Sequence, residues 1–163
     1  MSAVAEWLSK ISLSCFAFSY LLTLILEISR LFLRVAVRWA IMLLVMALGL
    51  FAHIVYIWLR IQSSLTEHSA LLSDWHAWCV VAALAIALFY FILSIRRPLN
   101  STGLFLLPLV LGLTVTAWLI KDTGSFTDKD ALSLWGILHG LSLLAGTVTM
   151  ALGCATGVMY LVQ

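Results

Sequence analysis

The chain has 163 residues, of which 64% are hydrophobic and only 10% charged, and its mean hydropathy is +1.14. A soluble domain runs near about 45–50% apolar and about 25% charged and needs polar residues to cover its surface, so this composition excludes one. Nine glycines and two prolines exclude collagen-like structure, and a net charge of +2 is too small to point to a nucleic-acid partner. A polytopic, all-α membrane helical bundle remains.

A helix needs about 20 apolar residues to cross about 30 Å of hydrocarbon. Five stretches qualify, in chain order about 11–28, 37–59, 77–95, 102–120 and 133–162. The fourth contains Pro108, which a membrane helix tolerates with a kink, and the fifth is rich in small residues. The longest pieces outside the spans, Arg60–His76 and Lys121–Leu132, are too short for a soluble domain. The 163 residues therefore read as one integral membrane domain.

Lysine and arginine placement sets the expected orientation. The connections after spans one and three carry Arg30, Arg34, Arg38, Arg96 and Arg97, whereas the other two hold Arg60, Lys121 and Lys129 against Glu67, Asp74, Asp122, Asp128 and Asp130. The N-terminus is thus expected outside and the C-terminus in the cytoplasm. Trp58, Trp75, Trp78, Trp118 and Trp135 then fall near the outer boundary, with Trp7 beyond it, and Trp39 alone at the inner one. The first span is read as retained: Lys10 is the sole base before it, and no small-x-small cleavage site follows. Asn100-Ser101-Thr102 matches the glycosylation pattern but adjoins Arg96 and Arg97 on the expected cytoplasmic side.

Three cysteines are too few for a disulfide framework. Cys15 and Cys79 lie near the same face and could pair, while Cys154 reads as a small packing residue. Glu27, three residues before Arg30, reads as half of an i,i+3 ion pair at the interface.

The histidines carry more information. His53 lies six residues from the outer end of span two and His139 about six from the outer start of span five, so each is expected about 9 Å deep. At 100° per residue His139 shares a face with Gly146, Met150, Gly153 and Gly157, and His53 shares one with Met42, Met46 and Gly49. Both are expected to point toward protein. An intramembrane imidazole is a candidate ligand for haem iron or another metal, although a lone one more often hydrogen-bonds a neighbouring helix. His68 and His76 read as solvated loop residues. Among soluble-enzyme motifs, the sequence contains no Walker loop, HExxH or CxxC.

The run Trp135-Gly-Ile-Leu-His139-Gly-Leu-Ser-Leu-Leu-Ala-Gly146, closing on Gly157-Val-Met-Tyr-Leu-Val-Gln163, resembles a segment of the cytochrome c assembly protein family. CcsA-type and HemX-type members open a helix with a similar W-x-x-x-H pattern. Leu72-Ser-Asp-Trp75, Arg96-Arg97-Pro98 and Gly103-Leu-Phe-Leu-Leu-Pro108 look like the family's upstream stretch, and His53 stands where many members carry an early-helix histidine. The likeness covers roughly Val37 to Gln163.

The resemblance implies a multi-pass protein of the bacterial inner (plasma) membrane that handles haem on the outer face for attachment to apocytochrome c. His139 and His53 would be axial ligands, and Trp135 would lie at the haem edge. The partners implied are the bilayer, other cytochrome c maturation membrane proteins and apocytochrome c, and the chain by itself reads more as a haem-handling assembly factor than as an enzyme. The family's tryptophan-rich haem-binding loop is not within these residues, so the sequence is expected to be the N-terminal portion of such a protein or a truncated relative. Two other roles stay open: a HemX-like membrane regulator of haem biosynthesis acting through the arginine-bearing loops, and a small transporter or assembly subunit without cofactor.

Overall fold

The computed structural model describes residues 13–29, 36–67, 74–97, 102–120 and 134–162. Each expected span forms one helix: α1 (Leu13–Ser29), α2 (Ala36–Glu67), α3 (Trp75–Arg96), α4 (Gly103–Leu119) and α5 (Leu134–Val162). There is no strand among the described residues. The protein is an all-α membrane bundle. Helices α2, α3 and α5 are long and apolar enough to cross a bilayer, while α1 and α4 are apolar helices of 17 residues, at the short end of the about 17–25 that suffice.

The boundary expected near Leu59 for α2 is wrong. The helix continues to Glu67 and is 32 residues long, about 48 Å at 1.5 Å per residue. Hydropathy falls after Leu59, but residues 60–67 contain neither glycine nor proline, so nothing in the backbone stops the helix where the apolar run stops.

Helix α1 packs on α2 and α4, and α3 packs on the same two. These four close a ring, and α5 lies outside it against α3 and α4. Side-chain bonds fix the antiparallel register. Tyr20 meets His53 and His76 meets Ala117 toward one end, while Trp39 meets Ser94 and Tyr90 meets Met42 toward the other.

The ring's core is a single cluster including Phe16, Tyr20, Met46, Leu50, Ala83, Ile86, Tyr90, Leu106, Leu107 and Val110. With no hydrophobic drive inside lipid, close packing and hydrogen bonds must hold helices together. Small residues provide the approach: Ala77, Ala82, Ala83 and Ala87 of α3 are buried, and Gly49 of α2 lies against Ser19 of α1. Buried hydroxyls return to their own helix, as in Thr23 to the Ser19 carbonyl (2.8 Å) and Thr114 to the Val110 carbonyl (2.7 Å). Among the described residues no buried side-chain nitrogen or oxygen lacks a partner.

Helix α5 meets the core through Leu144, Val148, Ala151, Leu152 and Ala155. That is the stripe expected of a helix resting on one neighbour. Much of its other surface, including Leu141, Met150, Tyr160 and Leu161, is exposed.

Candidate functional site

Phe16, Tyr20, Thr23 and Glu27 line the buried face of α1 at helical spacing. His53 of α2 enters against the N-terminal half of that face and is fully buried. Its Nε2 lies 3.2 Å from the Val80 carbonyl of α3, and its Nδ1 lies 2.9 Å from the Tyr20 hydroxyl. A carbonyl only accepts, so the ring proton sits on Nε2, and the Tyr20 hydroxyl donates to Nδ1. The ring also stacks on Phe16, with centroids 4.0 Å apart and planes 7° from parallel. His53 therefore joins α1, α2 and α3 as a neutral bridge. The expectation that it faces protein together with Met42, Met46 and Gly49 holds, since all four are buried.

A second bridge lies one level nearer the start of α3. His76 is not a solvated loop residue: it is the second residue of α3 and is buried. Its Nδ1 donates to the Ala117 carbonyl of α4 at 2.7 Å, and its Nε2 accepts from the Tyr56 hydroxyl of α2 at 3.0 Å. Ala117 is in the last turn of α4, where carbonyls lack intrahelical donors. His76 thus caps one helix from the start of another. Phe16, tilted against Tyr56 with centroids 5.6 Å apart, connects the two bridges. Tyr20, Tyr56, Phe16 and His76 were absent from the sequence-level candidates. The available signal was Asp74, whose β-region backbone and side chain cap α3 and place His76 inside the first turn.

Asp74 has two duties. Its Oδ1 accepts from the Ala77 amide at 2.6 Å, and its Oδ2 pairs with the Arg60 guanidinium of α2. Replacing it with alanine removes a cap worth about 1 kcal/mol and a partly buried ion pair worth about 1 kcal/mol. Thermal unfolding of Asp74→Ala in detergent is expected to show that modest loss, and Arg60→Ala the smaller share.

His139 is placed differently from the other two. It is exposed, so the expectation that it points toward protein is not met within this chain. It makes no hydrogen bond among the described residues, and Trp135, one turn before it, is exposed as well. A Cβ added at Gly146, Gly153 or Gly157 would meet nothing within 4 Å. The face carrying His139 and these glycines is open, because α5 turns its Leu144–Ala155 stripe to the ring instead. The structure does not bring His139 to His53, which is enclosed by α1 and α3. Substituting alanine at Gly153 is expected to leave stability unchanged or raise it by up to about 1 kcal/mol through helix propensity. Unfolding of Gly153→Ala beside wild type measures this directly.

Cys15, Cys79 and Cys154 are free thiols, so the Cys15–Cys79 pair is not formed. Cys154 is exposed, not packed, because it lies on the side of α5 turned from the ring. Glu27 is buried and not at a solvated interface, while Arg30 and His68 lie outside the described residues. No group of three or more His, Cys, Asp or Glu forms a metal-ligating cluster among the described residues. No protein-family model, no curated protein and no solved structure matches this chain.

Proposed function

We propose that the protein is a haem-handling membrane component of cytochrome c biogenesis, with His139 as the axial ligand it contributes. The observation that supports this reading is the contrast among the histidines. Both ring nitrogens of His53 and of His76 are committed to helix contacts, while the His139 imidazole is exposed beside an open glycine face. His53, the second candidate, could ligate iron only by giving up Tyr20 or Val80. The residues therefore fit a haem gripped from one side, with Trp135 available at its edge. Haem, when bound, supplies the iron and the porphyrin substituents that react with apocytochrome thiols. The chain's own part is to hold and orient it. Residence in a bacterial inner membrane, with the N-terminus and His139 outside, belongs to the same proposal, as do apocytochrome c and other maturation proteins as partners.

Haem titration of the detergent-solubilised protein tests it. Wild type is expected to give a saturating visible spectrum that His139→Ala weakens by about tenfold or more in affinity, roughly 1.4 kcal/mol. The unfolding temperature should not move, because His139 is exposed. Equal binding by both proteins would refute the assignment.

One observation favours a second reading. The uncovered surface of α5 also suits an assembly subunit that receives a neighbouring transmembrane helix and no cofactor. In that case Gly153→Leu would abolish co-purification of a membrane partner, and His139→Ala would leave it intact.

A further inference from the structure

Trp58 of α2, Trp75 of α3 and Trp118 of α4 are exposed by 60%, 58% and 64%. Two bonds place them at one level. The Arg60–Asp74 pair joins α2 to α3 two residues from Trp58 and one from Trp75, and the His76–Ala117 bond joins α3 to α4 one residue from Trp75 and one from Trp118. The other end of the ring differs, since Trp39 there gives its indole N–H to the Ser94 carbonyl at 3.3 Å. Trp58 and Trp118 have no hydrogen-bond partner among the described residues. An indole facing outward with its N–H unmet in the protein is stable where an apolar body and a wet polar tip are both accommodated.

We propose that Trp58, Trp75 and Trp118 are a one-ended belt that seats the bundle in the phospholipid headgroup layer of a single leaflet. Phosphate and ester oxygens of that layer accept the indole protons of Trp58 and Trp118. The Arg60–Asp74 pair then lies among charged headgroups, and the last nine residues of α2 project about 13 Å past the belt. His53, five residues inward from Trp58, is about 7.5 Å below it.

The belt also revises the depth of His139. Thr102 of α4 lies 3.9 Å from the Met159 sulfur of α5, which ties the opposite ends of these helices together. Trp118 is about 24 Å along α4 from that contact, while His139 is about 30 Å along α5. His139 therefore reaches the belt or passes it, unless the two helices cross at more than about 35°. It is an interfacial residue and not, as its position in the apolar run implied, one about 9 Å deep.

The test uses the full chain in phospholipid nanodiscs. Lipids brominated near the headgroup are expected to quench tryptophan emission more than lipids brominated near the chain ends, and Trp58→Phe/Trp118→Phe is expected to lose most of that shallow component, leaving the share of Trp75. Stronger quenching by deep bromines would overturn the belt. So would quenching by aqueous iodide without any bromine effect, as expected of a protein-docking patch. With Cys15, Cys79 and Cys154 changed to serine, His139→Cys is expected to react with a membrane-impermeant maleimide, and Phe51→Cys, on the lipid-facing side of α2, to stay inert. If both cysteines are inert, the placement of His139 is wrong; if both react, the belt is.

Discussion

Replacing His53 with alanine is expected to destabilise the protein by about 3–5 kcal/mol. Three losses combine. The Tyr20 hydroxyl, fully buried, loses its acceptor and is stranded, at a cost of about 1–3 kcal/mol. The Val80 carbonyl loses a donor, and the Phe16 ring loses a stacked partner at 4.0 Å. Alanine also leaves a void among Phe16, Tyr20 and Val80, which three different helices would have to move to fill. Tyr20→Phe should cost far less, about 1 kcal/mol, because it removes the donor but keeps the packing. Reversible unfolding in mixed micelles separates the two variants. If His53→Ala unfolds like wild type, the imidazole is not the bridge described above, and its candidacy as an open ligand revives. Haem measurements on His53→Ala therefore need stability data beside them, whereas those on His139→Ala stand alone.

Leucine at Gly49 is expected to be comparably damaging. A Cβ there would sit 2.8 Å from the Ser19 Cβ and 3.3 Å from the Tyr20 ring. The Ser19 Cβ is fixed to the backbone of α1 and cannot swing aside, so α1 and α2 must separate. Separation also pulls Tyr20 from His53, so overpacking of about 1–3 kcal/mol is joined by loss of a buried hydrogen bond. Gly49→Ala should show the first cost and Gly49→Leu both. The same leucine at Gly157, where nothing lies within 4 Å, should leave unfolding nearly unchanged. Equal effects at the two sites would mean that α1 and α2 are not in close contact.

The helices were legible because each is an uninterrupted apolar run, and a bilayer-length run has few other structures open to it. Their ends were less so. Hydropathy reports where lipid stops, not where hydrogen bonding stops, which is why α2 outruns its expected end by eight residues. The same bias misread His76, which lies one residue outside the apolar run yet inside a helix capped by Asp74. For His53 the helical wheel worked, since Met42, Met46 and Gly49 mark a face that is in fact buried. For His139 it failed. The wheel groups residues on one side of a helix but cannot say which side meets the neighbours. Glycines are as compatible with an open face as with a packed one, and the aliphatic stripe from Leu144 to Ala155 decided the matter. Neither the Tyr20–His53 nor the Tyr56–His76 contact could be read from one chain, because each joins residues 33 or 20 positions apart through the bundle's geometry.

The closed ring of four helices, with α5 resting outside it, bears on how the protein is made. Chains fold from the N-terminus as synthesis proceeds. The partners of His53 and His76 described above lie at or before Ala117, so those contacts can form before the fifth helix leaves the ribosome. That helix then enters the bilayer beside a finished scaffold. It is the segment free to choose a neighbour at the translocon, and errors in its insertion would spare the rest of the fold.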